Sequence, residues 1–199
     1  VVPVKRDTIK VAQIKGELIR ANGKVYALIQ NKMYQEGNTT QLKAKFMELN
    51  AEAQGKLSGL IITEENNPGG LLHEVVGGVD LFLDTSSVVL LRNNEGIVPY
   101  HSPLVVRTPG DITNGLPILG VVNAGCASAC EIFMQSMKHH QRALIAGTSP
   151  KTFGKGIVQS VVGGPGGGGI KFTSSEYLVG STSSWVPVQC VGVVPDIVF

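Results

Sequence analysis

Residues 125–159, GCASACEIFMQSMKHHQRALIAGTSPKTFGKGIVQ, decide how this chain is read. Ahead of them, residues 118–122 have the apolar run of a buried strand and residues 123–127 read as a turn. Behind, Ile132, Phe133 and Met137 recur at helical spacing. Ser128 is therefore placed at a strand-to-helix turn, between small Ala127 and Ala129 that leave room for a substrate backbone. Free N–H groups in a first helical turn carry partial positive charge and favour an oxyanion. The competing reading is structural, because Ser128 with Glu131 three residues on is also the pattern of a capping box, and such boxes are far commoner than nucleophiles.

Lys155 weighs against the plain cap. A serine hydroxyl is a poor nucleophile until a base takes its proton, and a lysine serves only with a lowered pKa. Moving the amine from ~10.4 towards ~7 costs about 4 to 5 kcal/mol of surrounding burial. Phe153, Ile157 and Val158 are candidate apolar walls, and Gly154 and Gly156 permit close backbone approach. Gln159 lies four residues on, on the same face of a strand, where its carboxamide oxygen can orient the amine without adding charge. Taken alone, Gly154-Lys155-Gly156 is a surface lysine in a glycine turn.

The strings NNPGGLL (66–72), VVNAGCASACEIF (121–133), RALIAG (142–147), KTFGKGIVQ (151–159) and GVVPDI (192–197), in this order, resemble the C-terminal processing peptidases, or tail-specific proteases. The resemblance covers nearly the whole chain and is weakest before Leu57. It implies a serine endopeptidase with a Ser-Lys dyad assisted by glutamine, on an α/β fold with a crotonase-like or ClpP-like core of stacked sheets and helices. The nucleophile falls on Ser128, the base on Lys155 and the supporting glutamine on Gln159. The oxyanion hole falls on the N–H groups of Gly70, or less favourably Gly69, and of Ala129. No metal and no cofactor are implied. Expected substrates are proteins or peptides with flexible apolar C-terminal tails, in a periplasmic or other extracytoplasmic space.

Three departures accompany the resemblance. The interval from Ser128 to Lys155 is slightly long, the excess falling in residues 148–151. The usual Asp-Leu-Arg ahead of Asn-Asn-Pro-Gly-Gly is here Thr63-Glu64-Glu65, an acid replacing an arginine. The family's PDZ domain, which normally precedes and gates this core, is expected to be missing from these residues, with 1–20 as the exit strand from it and 1–199 as a single protease core.

Composition agrees with one packed domain: 199 residues, 43% hydrophobic and only 16% charged, can bury a sizeable core. A net charge of +2 with no basic run points away from nucleic acid and acidic lipid, and no apolar stretch is long enough to span a membrane.

Along the chain, residues 10–20 and 24–30 read as strands joined by Ala21-Asn22-Gly23, a hairpin signal. Asn38 to Gln41 form a capping-box pattern for a helix with Leu42, Phe46, Leu49 and Ala53 on its inner face, closed by Gly55. Residues 57–63 are the next buried strand. The Gly69-Gly70 pair then opens a helix through Leu71, Leu72, Val75, Val76, Val79 and Phe82. Residues 87–92 and 97–100 form a second hairpin, and alternation of strands with helical patterns indicates α/β layering. Past Gly156 the chain is mostly strand. The glycine-rich residues 163–169 lack the Gly-Lys-Ser/Thr ending of a phosphate loop and read as a hairpin connection.

His73 and Asp80 offer a Ser128-His73-Asp80 triad as the conventional alternative. His139 and His140 are adjacent and face different sides of a helix, which does not suit a metal. Cys126, Cys130 and Cys190 are odd in number and lack a Cys-x-x-Cys pair, so the reading is buried structural thiols, with one disulfide open in an oxidising compartment. Two further classes stay open: a non-catalytic binding protein on the same fold, and an acyl-CoA enzyme of the crotonase class. Neither accounts for serine, lysine and glutamine arriving together.

Overall fold

The computed structural model describes residues 12–98, 104–106 and 108–199. The start of the first expected strand and the end of the one expected at 97–100 fall outside them. In chain order the elements are β1 (Ile14–Ala21), β2 (Lys24–Asn31), α1 (Asn38–Glu52), β3 (Gly59–Thr63), α2 (Leu72–Asp80), β4 (Ser86–Asn93), β5 (Gly96–Ile97), β6 (Leu104–Val106), β7 (Ile118–Val122), α3 (Ala129–His139), β8 (Ala143–Gly147), β9 (Ile157–Gly163), β10 (Gly169–Ser181), β11 (Ser184–Pro187) and β12 (Ile197–Val198).

Two six-stranded sheets result, one ordered β1-β2-β3-β7-β8-β12, the other β11-β10-β4-β5 with β6 on β4 and β9 on β10. In the first, β1 and β2 form the expected hairpin, turned by Asn22 at φ 50° and Gly23 at φ 73°. An Asn-Gly pair accepts two consecutive positive φ values, whose twist matches that of the flanking strands. From β2 onward the pairings are parallel. That suits the short apolar runs GLIIT, ILGVV and ALIAG, which bury Leu60, Ile62, Ile118, Val122 and Ile145.

Helix α1 turns Leu42, Phe46, Leu49 and Ala53 inward as its spacing requires, and Gly55 at φ 69° follows it. Its start differs from expectation. The N-cap is Gly37, with no cap hydrogen bond from a side chain of its own segment. Asn38 is buried and instead donates to Asn31 Oδ1 and Met33 O at 3.0 and 2.9 Å. The orphan N–H groups of Gly37 and Thr39 donate to the Glu74 carboxylate of α2 at 2.6 and 2.8 Å. A tertiary contact has replaced the local cap, so the two helices start in register with one another.

Helix α3 lies deepest: every residue from Ala129 to Met137 is buried. Phe133 packs on Phe82 edge-on at 5.9 Å between ring centroids and on Tyr34 at 6.3 Å. At its far end Lys138 pairs with Asp196 at 2.6 Å, and Asp196 also accepts the Ile145 N–H at 2.9 Å. Thus the GVVPDI string ties the chain's last strand to β8 and α3. Among the described residues no helix is long and apolar enough to cross a membrane.

At the end of β3, Glu64 is completely buried, where only the exchange of an arginine for Glu65 stood out in the sequence. Its Oε1 accepts from Asn31 Nδ2 at 2.7 Å and from the Tyr34 hydroxyl. Burial raises its pKa from 4.5 to about 8, against the lowering by the Tyr34 and Asn31 hydrogen bonds. The folded protein thus holds a proton that the unfolded chain releases near 4.5, so this stabilisation is complete below that pH and is lost as pH rises through about 8. Two outcomes are expected. Urea unfolding at several pH values will show the stability of Glu64→Gln, relative to the parent, increasing between pH 5 and 8.5. Glu74→Ala will lower stability by about 1 to 2 kcal/mol through the exposed start of α1.

Candidate active site

Ser128, Ala129, Lys155, Gln159 and Gly70, picked from three separate strings, all line one cavity of about 290 Å³. Its apolar walls are Leu71, Leu72, Ile132, Ile157, Val158 and Tyr177. Phe153, expected among them, is instead 66% exposed and off the cavity, because Gly154 at φ 86° turns the chain between Phe153 and Lys155. A larger groove between residues 92–95 and 173–176 is lined by the Arg92–Glu176 ion pair and contains neither Ser128 nor Lys155.

Ser128 is the N-cap of α3 and has φ 59°, ψ −117°. A residue with a Cβ avoids this region, at a cost on the order of 1 to 3 kcal/mol, and it persists only where surroundings over-determine it. Here they do. The Ser128 N–H donates to Glu131 Oε2 at 2.8 Å, and its carbonyl accepts the Ile132 N–H at 3.0 Å. The expected capping box with Glu131 is therefore present, on a residue that also lines the cavity. Cys126 and Cys130 form a disulfide across it, with Cα atoms 5.6 Å apart, which corrects the expectation of buried free thiols. The reversal at Ser128 folds Cys126 back over the first turn of α3 and brings the pair inside bridging range. Cys190 stays free and exposed.

Glu131 does more than cap. Its Oε2 accepts the N–H of Ser128 and of Lys155, each at 2.8 Å. Its Oε1 accepts the Thr152 hydroxyl at 2.5 Å and the Gly154 N–H at 2.6 Å. One buried carboxylate thus holds the serine turn and the lysine loop to the same two oxygens. Phe153 N–H to Cys126 O at 3.0 Å adds a direct strut. The Tyr177 hydroxyl lies 2.7 Å from Lys155 O and 3.1 Å from Ser128 O, so its single proton favours the former. Burial, and then the Glu131 charge, push the Tyr177 pKa far up and keep it a donor.

The turn 66–70 closes the other side. Ala127 N–H donates to Asn67 O at 2.9 Å, while Tyr34 N–H to Gly69 O and Leu71 N–H to Tyr34 O anchor the turn from behind. Gly69 and Gly70 have φ of 100° and 145°. A Cβ on Gly69 would sit 2.7 Å from Ser128 Cβ and from Ala129 N, so only glycine lets this turn reach the serine. The Gly69 N–H is already donated to Asn67 Oδ1 at 2.9 Å. Those of Gly70 and Ala129 have no acceptor among the described residues, which favours Gly70 over Gly69 as an oxyanion donor.

The described hydrogen bonds link neither Ser128 Oγ nor Gln159 to the Lys155 amine; the three share the cavity without contacts that would fix their proton arrangement. Residues 148–151 form a bend ahead of Thr152, and the added length leaves Lys155 on the cavity. The alternative triad does not assemble. His73 lies off the cavity, exposed, with Nε2 3.2 Å from Glu36, and Asp80 accepts the Thr108 N–H at 3.0 Å. Residues 163–169 connect β9 to β10 as the hairpin expected.

The sequence pattern of peptidase family S41 matches residues 24–199. This chain belongs to peptidase family S41. It is 32% identical to a carboxy-terminal-processing protease of Bartonella bacilliformis, over 99% of this chain and 43% of that protein. It is 31% identical to a chloroplastic C-terminal processing peptidase of Tetradesmus obliquus, over 82% of this chain and 33% of that one. In structure it is similar to a photosystem II D1 C-terminal processing protease, with TM-score 0.79 and 25% identity over 97% of this chain and 50% of the other. The S41 chain thus spans less than half the length of these curated relatives. Its mixed α/β fold is that of S41 structures.

Two measurements test the geometry. Replacing Ser128 by glycine relieves the positive φ and will leave a protein about 1 kcal/mol more stable than Ser128→Ala in chemical unfolding. In Glu131→Gln an amide NH₂ must face N–H or O–H donors, costing about 1 to 3 kcal/mol of stability.

Proposed function

We propose that this chain is the catalytic core of a serine endopeptidase that uses a Ser128-Lys155 dyad on unfolded or C-terminally tailed protein substrates. The observation that carries the reading is the convergence of Ser128, Lys155, Gln159 and two unengaged N–H groups on one apolar cavity. Lys155, in its neutral form, takes the Ser128 proton as Oγ attacks the scissile carbonyl. The tetrahedral oxyanion is held by the N–H groups of Gly70 and Ala129, next to the positive end of α3. Lys155 then gives its proton to the departing amine, leaving an acyl-serine and a free new N-terminus. Water attacks that ester with Lys155 again accepting the proton, which returns to Ser128 as the carboxylic acid product leaves. Gln159 orients the amine through its carboxamide oxygen without adding charge.

The tyrosine and leucine walls suit an extended apolar segment, consistent with flexible apolar tails as the substrate class. A disulfide beside the serine fits an oxidising, extracytoplasmic compartment. A tail-capturing PDZ domain elsewhere in the full protein would raise the local concentration of such substrates and supply most of the tail preference.

Cleavage of casein tests the reading. Ser128→Ala and Lys155→Ala will each abolish hydrolysis while keeping the fold, and the double variant will be scarcely worse than either, because residues acting as a unit are not additive. His73→Ala will stay active. Activity surviving in Lys155→Ala would refute the dyad.

A further inference from the structure

Lys171 lines the cavity together with Ser128, Lys155 and Gln159, and none of the motifs assigns it a role. It comes from β10, where it pairs with Val161 of β9 while Thr173 pairs with Gln159. Directly opposed residues share a face and alternate residues keep it, so Lys171 and Gln159 lie diagonally on one face of the β9–β10 hairpin. Both residues line the cavity that Ser128 lines.

The charge inventory there is one-sided. The lining includes Lys155 and Lys171 but, among the described residues, no aspartate or glutamate. The Glu131 carboxylate, which binds the backbone of Ser128 and Lys155, is buried and occupied by its four donors. Lys138, Arg92 and Arg142 each have an acidic partner, whereas Lys171 has no ion pair or hydrogen bond among the described residues. Of the two lysines, Lys155 is taken up by the proposed dyad, which leaves Lys171 to meet a charge on the substrate. The remaining walls are uncharged, so an approaching carboxylate meets lysine and no acid in the lining to repel it.

We propose that Lys171 is a specificity-determining residue that receives a substrate carboxylate at the mouth of the Ser128 cavity, in an otherwise apolar segment. This rests on the protease reading above. The carboxylate has two sources with the same chemistry: the free C-terminus of the substrate, or an aspartate or glutamate side chain close to the cleaved bond. A charge-assisted hydrogen bond in a partly enclosed site makes about a tenfold difference in affinity or more.

The test uses one fluorescent apolar peptide in four forms: free C-terminal acid, C-terminal amide, and amides carrying a single internal Glu or Gln. Two quantities are measured with the full chain: kcat/KM, and Kd by fluorescence anisotropy in a Ser128→Ala background. The parent is expected to favour one carboxylate form over its neutral counterpart about tenfold, in KM and Kd rather than kcat. In Lys171→Gln that ratio will fall to near one, and in Lys171→Glu it will invert in favour of the neutral form. Which pair shows the effect, acid against amide or Glu against Gln, names the source. Equal treatment of all four forms by the parent, or a preference that persists in Lys171→Gln, overturns the proposal. Absence of cleavage in every form would count against the protease reading alone, because the Kd ratios still decide the role of Lys171.

Discussion

The site depends on one carboxylate with four donors. Glu131 accepts from Ser128, Thr152, Gly154 and Lys155, and so joins a strand-to-helix turn to a loop that arrives after another strand of the sheet. Neither segment has much regular structure to hold it, and loops place side chains loosely unless something rigid fixes them. Here the anchor is the first turn of α3, the most deeply buried helix, so the precision of the core is passed to both loops through two oxygen atoms. The placement of Ser128 and Lys155 is therefore set through space rather than by counting along the chain, which is why added length in residues 148–151 leaves Lys155 on the cavity.

A second layer of constraint comes from behind the turn 66–70. Tyr34 holds this turn through its backbone while its hydroxyl reaches the buried Glu64, and Asn67 spends its side chain on Gly69 and its carbonyl on Ala127. Polar groups of this kind are costly to bury and are retained where their hydrogen bonds specify one arrangement. The Gly69 N–H is satisfied within the turn, while that of Gly70 has no acceptor among the described residues.

Much of this was legible in the sequence because it is local. The Asn-Gly hairpin, the inward stripe of α1, the apolar parallel strands and the strand-turn-helix around Ser128 each follow from residues within a few positions of one another. The convergence of Ser128, Lys155, Gln159 and Gly70 was reached only through the order of several strings, since nothing in periodicity brings distant loops together. What escaped notice is tertiary. Glu131 has the pattern of a cap and gives no sign that Thr152 to Lys155 will also bind it. Glu74 caps a helix it does not belong to, in place of the Asn38-to-Gln41 box. Tyr177 and Lys171 enter from β10, far along the chain, and Phe153 fails as a wall because a glycine turn beside it redirects the backbone.

The disulfide around Ser128 encloses very few residues, so by loop-closure reasoning it restrains the unfolded chain by only about 2 kcal/mol. Its larger effect is on the folded side. It clips Cys126, ahead of the strained turn, to the first turn of α3 and so restrains the backbone on both sides of Ser128. Breaking the bridge would leave both sheets and the four donors of Glu131 in place, since none of those contacts runs through either sulfur. Oxidation state in this molecule is thus less a matter of whether it folds than of how sharply one hydroxyl is aimed.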